Sequence, residues 1–260
     1  MYTKSTIIFL FAIVLISPVL GLAEVKEEYY PNGKLKETWN YDKGRLEGIS
    51  KKYYEDGNLQ YEVNYKNGQQ EGITKEYYEN GKLKGEVNFR GGMLEGVSKE
   101  YYDNGNLKEE VTFKNGKPEG MSKEYYETGQ LKEEVNYKDG QQEGITKEYY
   151  ESGKLMEVGH YINGKQEGVD KEYYESEKLK AERTYKNDKQ EGLTKLYSES
   201  GQLMAEANFK NGELDGVCKT YYPNGKIQYI DTYQNGKKIN RKVYDEEGKL
   251  QSDQDYSSIK

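Results

Sequence analysis

Lys75–Ser98 reads KEYYENGKLKGEVNFRGGMLEGVS, and the 24 residues that follow, from Lys99, read KEYYDNGNLKEEVTFKNGKPEGMS. The kinship extends well beyond this pair. Glycines recur at 57, 81, 105, 129 and 153, at 68, 92, 116, 140 and 164, and at 72, 96, 120, 144 and 168, each series with a spacing of 24. A fixed period of this length marks a repeat architecture. Asn67-Gly68 and Asn80-Gly81 bound runs of six or seven residues, which is strand length and too short for a helix. Each unit is therefore predicted to be a β-hairpin followed by a turn into the next.

Alternation assigns the faces. Ile73, Lys75 and Tyr77 share one side of the first strand and Thr74, Glu76 and Tyr78 the other; in the second strand Leu83, Val87 and Phe89 oppose Lys84, Glu86 and Asn88. The expectation is one apolar face and one charged face. An aliphatic column runs from Leu35 through Leu83 to Ile227 and an aromatic one from Tyr41 through Phe89 to Tyr233, each unbroken over nine units. Like residues on neighbouring strands contribute roughly 0.2–1 kcal/mol per pair, so the array accumulates what a lone hairpin lacks. Gly81 sits where a type I turn with a bulge needs a left-handed residue. Glu177 and Asp188 stand where other units have Gly, which makes the unit from Lys171 the expected weak point.

Composition agrees with an elongated, thin-cored chain. Of 260 residues only 33% are hydrophobic, a count that includes 28 tyrosines, and mean hydropathy is −1.12. A large conventional core is excluded. Two strands per unit at about 4.8 Å give roughly 10 Å per repeat and a ribbon of about 85–90 Å for nine repeats. Net charge is −7 with Lys and Glu interleaved, which argues against nucleic acid and against docking on anionic lipid. Cys218 is the single cysteine and His160 the single histidine, so neither a disulfide framework nor a multi-cysteine zinc site is available within the chain.

Residues 1–23 differ from the rest: Lys4 precedes an apolar run from Ile7 to Val19, and Gly21-Leu22-Ala23 offers a small-residue cleavage site. The reading is a secretory signal peptide cut near Ala23, giving an exported chain in the periplasm, at the cell surface or secreted. Repeats are expected over 24–240. Beyond Gly236 the period breaks, with Asn240 in place of a Gly, and 241–260 reads as a degenerate polar cap.

The pattern Tyr-Tyr-x-x-Gly-x-Leu-x-x-x-x-x-Tyr-x-x-Gly-x-x-x-Gly resembles the MORN repeat, in the variant form of bacterial proteins often classed with YwqK-type antitoxins. The likeness spans roughly residues 26–248. It implies an all-β fold, an elongated single-layer antiparallel meander of tandem 24-residue hairpins, used for protein contacts and sometimes for association with membranes. In the YwqK group it also implies an antitoxin role.

Catalysis needs non-repeated polar groups converging in a pocket, and the sequence offers none. His160 takes the slot of Asn136 and reads as a solvated substitution; Cys218 takes the slot of Ser98 and lies more than two repeats from His160. The acidic column Glu47, Glu71, Glu95, Glu119, Glu143, Glu167, Glu191 and Asp215 is too widely spaced for calcium, with about 10 Å between carboxylates, and reads as solvated turn residues. No catalytic, cofactor-binding or metal-binding residue is assigned. The candidate partner-binding residues are a second tyrosine column, placed on the charged face: Tyr54, Tyr78, Tyr102, Tyr126, Tyr150, Tyr174 and Tyr222, with Ser198 the one break. Tyrosine is amphipathic and enriched at interfaces. The expected function is a non-enzymatic exported scaffold binding a protein partner, with self-association as a further mode. The alternatives are a YwqK-type antitoxin or immunity protein, and a glycan or cell-wall binder, the latter weakened by there being only Trp39 to cage a ligand.

Overall fold

The computed structural model describes residues 23–257, and the expected signal peptide lies outside them save for Ala23. Twenty-eight strands form one sheet, every pairing antiparallel, with no helix among the described residues. The expected all-β meander of hairpin repeats is what the chain adopts. A unit consists of a six-residue strand such as Gly72–Tyr77, an eight-residue strand such as Leu83–Arg90, and a two-residue strand such as Met93–Leu94 that leads into Gly96–Tyr101 of the next unit. The two-residue strands are an addition to the sequence reading. Substantial contacts run only between strands close together in the ladder, so among the described residues no second layer covers either face.

Two turns alternate. At Tyr78–Lys82 the Gly81 N–H donates to the Tyr78 carbonyl at 2.8 Å and the Tyr78 N–H to the Lys82 carbonyl at 2.8 Å. This is the type I turn with a left-handed bulge residue expected from Asn80-Gly81, with Gly81 at φ +81°. At Asn67-Gly68 both residues have positive φ, 52° and 82°, the signature of a type I′ hairpin whose twist matches the strands. A bulge then follows, in which the Glu71 N–H reaches the Asn64 carbonyl at 2.9 Å and Gly72 supplies φ +78°.

Register overturns the simple division of faces. Thr74 lies opposite Val87 and Glu76 opposite Gly85, while Ile73 lies opposite Asn88 and Lys75 opposite Glu86. Directly opposed residues share a face. Thr74, Glu76 and Tyr78 therefore join Val87 and Phe89 on the more sheltered side, here called the inner face. Ile73 joins Lys75, Glu86 and Asn88 on the outer one. The candidate tyrosine column accordingly belongs to the inner face and not to the Lys/Glu face. Alternation along one strand could not show this, because a bulge between Glu76 and Tyr77 shifts the pairing by one residue. The same bulge turns Lys84 toward Glu76, and their side chains meet at 2.7 Å.

The core is as thin as composition requires: Val63, Val87, Val135 and Ala181 are the buried apolar side chains among the described residues. Beside them on the inner face lie buried Ser50, Thr74, Thr146, Asp170 and Thr194. At the C-terminal end Asn240 replaces the bulge glycine, and Lys237–Tyr244 accordingly runs as an eight-residue strand without the two-residue prelude. Leu250–Asp255 pairs with it, so the tail expected as a polar cap continues the meander by one hairpin.

Glu177 and Asp188 hold φ +65° each, the left-handed conformation that their glycine counterparts adopt without a Cβ penalty. Asp188 has compensation, since its carboxylate accepts the Gln166 N–H at 2.8 Å. Glu177→Gly is expected to raise stability by about 1 kcal/mol in urea unfolding, and Asp188→Gly by distinctly less. Equal gains would contradict the compensation.

Candidate functional site

Each candidate tyrosine sits at the first position of a type I turn, and its ring reaches sideways to the next unit. The Tyr54 hydroxyl donates to the Tyr77 carbonyl at 2.8 Å, Tyr78 to Tyr101 at 2.7 Å, Tyr102 to Tyr125 at 2.7 Å and Tyr126 to Tyr149 at 2.7 Å. Tyr150 reaches Tyr173 at 2.7 Å, Tyr174 reaches Tyr197 at 2.8 Å and Tyr222 reaches Tyr244 at 2.9 Å. Tyr30, outside the predicted set, does the same to Tyr53 at 2.7 Å. The rings are half-buried, so they fasten units together while keeping part of their surface open. Ser198 breaks the series: its hydroxyl turns to Ser200 at 2.7 Å.

A matching bond closes the opposite end of the strands. Glu71 accepts the Gly91 N–H of the next unit's type I′ turn at 2.8 Å, Glu47 the Asn67 N–H at 2.7 Å and Glu95 the Asn115 N–H at 2.9 Å. The series continues to Glu191 with Asn211 at 2.8 Å. The acidic column expected to be solvated is thus a column of turn caps. Sequence alone could have suggested it, because a positive-φ Asn-Gly turn leaves an N–H that an acid can satisfy.

The centre of the inner face holds a feature that the sequence reading passed over. Glu100 lies opposite Glu109, Glu109 opposite Glu124, Glu124 opposite Glu133, Glu133 opposite Glu148, Glu148 opposite Glu157 and Glu157 opposite Glu172. Seven carboxylates thus follow one another across seven strands. Like charges directly opposed destabilise a sheet. The signal was present two residues after each column leucine, at Glu109, Glu133 and Glu157, which alternation puts on the Leu face. Three of the four first-strand members have relief from the bulge lysines: Lys108 meets Glu100 at 2.9 Å, Lys132 meets Glu124 at 2.7 Å and Lys180 meets Glu172 at 2.5 Å, whereas the bulge position beside Glu148 is Met156. Burial opposes ionisation of Glu172, but the bonds from Lys180 and Arg183 outweigh it and hold its carboxyl below the usual range. The second-strand members go the other way. Burial first, then the neighbouring carboxylates, push Glu109 and Glu157 up, and Glu133, facing Glu148 and Glu124, is raised to about 7.

The outer face carries the exposed aliphatic side chains Ile49, Ile73, Val97, Met121, Ile145, Val169, Leu193 and Val217, each 41–53% exposed. They alternate across the strands with Asn64, Asn88, Thr112, Asn136, His160, Thr184, Asn208 and Thr232. Beside this row runs a second of alternating Lys and Glu, with Lys51 near Glu62 at 3.4 Å, Lys99 near Glu110 at 3.4 Å and Lys171 near Glu182 at 3.6 Å. An open hollow of about 340 Å³ lined by Ile73, Asn88, Val97 and Lys99 lies among these repeated groups.

Of the non-repeated polar residues, His160 and Asp170 meet through the His160 backbone N–H, which donates to the Asp170 carboxylate at 3.2 Å, and Cys218 lies more than two repeats from His160. His160 is on the outer face opposite Ile145, with its Nδ1 buried and unpartnered instead of solvated, while Asp170 is on the inner face opposite Arg183. Cys218 is half-buried opposite Asp231, and burial pushes its thiol up, away from the reactive thiolate. Among the described residues no group of three or more His, Cys, Asp or Glu could hold a metal ion, and no helix is long and apolar enough to cross a membrane.

The sequence pattern of one family, described as MORN repeat variant, matches at residues 25–43, 46–67, 70–90, 94–115, 118–139, 142–163, 166–187, 190–211 and 214–235. No curated protein matches. Solved structures that align include TcdB2-TccC3, at 16% identity and a TM-score of 0.22, over 84% of this chain and 14% of that one. The Tc holotoxin pore of Photorhabdus luminescens aligns with the same identity, TM-score and coverage. A porin-like protein from Bacteroides uniformis aligns at 8% identity and a TM-score of 0.19, over 83% of this chain and 92% of that one. Likenesses at these scores carry no argument about fold or function.

Two outcomes follow. Tyr126→Phe is expected to cost about 1 kcal/mol, and Ser198→Tyr to gain about as much, in urea unfolding; a neutral Ser198→Tyr would mean the junction after Ser198 needs no such bond. For Glu133 the raised carboxyl means the folded chain holds more protons than the unfolded one between about pH 4.5 and 7. Stability is therefore lost as pH rises through that window, and Glu133→Gln, discounted for partial exposure, should gain about 1 kcal/mol at pH 8 and nothing at pH 4. A gain independent of pH would contradict the ladder's charge repulsion.

Proposed function

As this chain belongs to the MORN repeat variant family, we propose that it is a non-enzymatic, exported scaffold that holds a protein partner along its repeated surface. One observation carries the reading: the side chains able to make contacts recur unit by unit at about 10 Å, while of the singular ones His160 meets Asp170 through its backbone N–H and Cys218 lies more than two repeats from His160. Such periodic surfaces suit extended partners, as in other solenoids. Inner-face rings at Tyr54, Tyr78, Tyr102, Tyr126, Tyr150, Tyr174 and Tyr222 offer stacking area at low entropic cost, while their hydroxyls serve the units themselves. Export has its support in the apolar run before Ala23 and in a first strand that starts at Glu24. The Lys/Glu balance keeps nucleic acid and anionic lipid as poor partners.

Immobilised residues 24–260 should capture a defined protein from the envelope fraction of the source cells. Conversion of Tyr78, Tyr102, Tyr126 and Tyr150 to Phe, which keeps the rings, should retain that capture. Conversion of the same four to Leu, with circular dichroism confirming the sheet, should weaken it at least tenfold. Equal capture by a folded Leu variant removes the tyrosine surface from the proposal; turnover of any substrate removes the scaffold reading.

A further inference from the structure

We infer that the outer face is a homodimer interface, with a second copy of this chain lying antiparallel across it. The inference deepens the scaffold reading by naming one partner. Ile73 stands opposite Asn88, Val97 opposite Thr112 and Met121 opposite Asn136, so the aliphatic knobs on first strands have polar neighbours on the second, Asn or Thr in every unit but that of Ile145, which faces His160. Knobs and hollows repeat with the strand pair. The flanking row repeats with the same step, Lys on every first strand from Lys51 to Lys219 and Glu on most second strands.

Consider a two-fold axis parallel to the strands and between two such faces. It reverses the order of units but leaves each row at its own height along the strand, so aliphatic row meets aliphatic row and charged row meets charged row. With the copies offset by an odd number of strands, every first strand faces a second strand of the partner. Seven of the eight second-strand positions that receive a knob are Asn or Thr and the eighth is His160, and a Lys faces a Glu except where the second strand carries Val158 or Ile230. A face with one sign of charge, or with aliphatics on both strands, would not be complementary to itself in this way. Interfaces with closed two-fold symmetry require just such self-complementarity. Eight aliphatic side chains left about half exposed in one line also form a larger apolar feature than scattered surface residues would. Among the described residues nothing covers them, because substantial contacts stay between strands close together in the ladder.

The test is sedimentation equilibrium of residues 24–260 with three variants. Wild type is expected to dimerise. Replacement of Val97, Met121 and Ile145 by Asn is expected to weaken the dimer about a hundredfold with an unchanged circular dichroism spectrum, because these side chains are exposed in the monomer. Lys99, Lys123 and Lys147 changed to Glu, and separately Glu86, Glu110 and Glu134 changed to Lys, should each give monomers. Mixed one to one they should restore a dimer. A monomeric wild type at about 100 μM, or a dimer indifferent to all three variants, overturns the proposal. So does association abolished only by changes at the sheet edges Glu24–Tyr29 and Leu250–Asp255. A monomer that still captures a protein through its tyrosine face leaves the scaffold reading standing, so the two can fail separately.

Discussion

Every part of this molecule depends on the bond that each unit makes to the next, because no unit can bury enough surface to fold alone. A two-stranded hairpin is at best marginal in water, and here the buried apolar side chains are few. The remedy is placed where an open meander is weakest, at its turns. A tyrosine hydroxyl satisfies a carbonyl at one end of the strands and a glutamate satisfies an amide at the other. Both bonds cross a unit boundary, so stability is a property of neighbours, as in linear repeat arrays generally.

That arrangement explains how the sheet tolerates its carboxylate ladder. Seven opposed glutamates would part an isolated pair of strands, yet here Glu100, Glu124 and Glu172 are neutralised by bulge lysines and Glu109, Glu133 and Glu157 relax by holding their protons more tightly. The penalty falls in the middle of the array, flanked by units whose row holds Gly85 on one side and Ala181 and Ala205 on the other.

The period, the hairpin units, the type I turn with its bulge glycine and the strained Glu177 and Asp188 were legible from Gly and Asn-Gly spacing, because backbone conformation at a turn is dictated by local chemistry; the type I′ geometry at Asn67-Gly68 and the two-residue strands were not. Cross-strand information was not. Whether Thr74 or Ile73 lies beside Val87 depends on a bulge at Glu76/Tyr77 that leaves no residue-type mark. The tyrosine column was found correctly as a column and put on the wrong face for that reason. The glutamate ladder was readable in part, since alternation from Leu107 and Leu131 lands on Glu109 and Glu133, but that these face Glu124 and Glu148 depends on the cross-strand register. The turn caps needed the lateral geometry of adjacent units, which no single repeat contains.

The bonds at successive boundaries are made by the same residue types between the same atoms, from Tyr30 with Tyr53 to Tyr174 with Tyr197. A boundary therefore does not record which units it joins. An in-frame duplication or deletion of one 24-residue segment would leave both neighbouring boundaries chemically intact and change only the reach of the sheet, by about 10 Å. Length is thus a quantity that evolution, or an engineer, can adjust in whole steps without redesigning any contact.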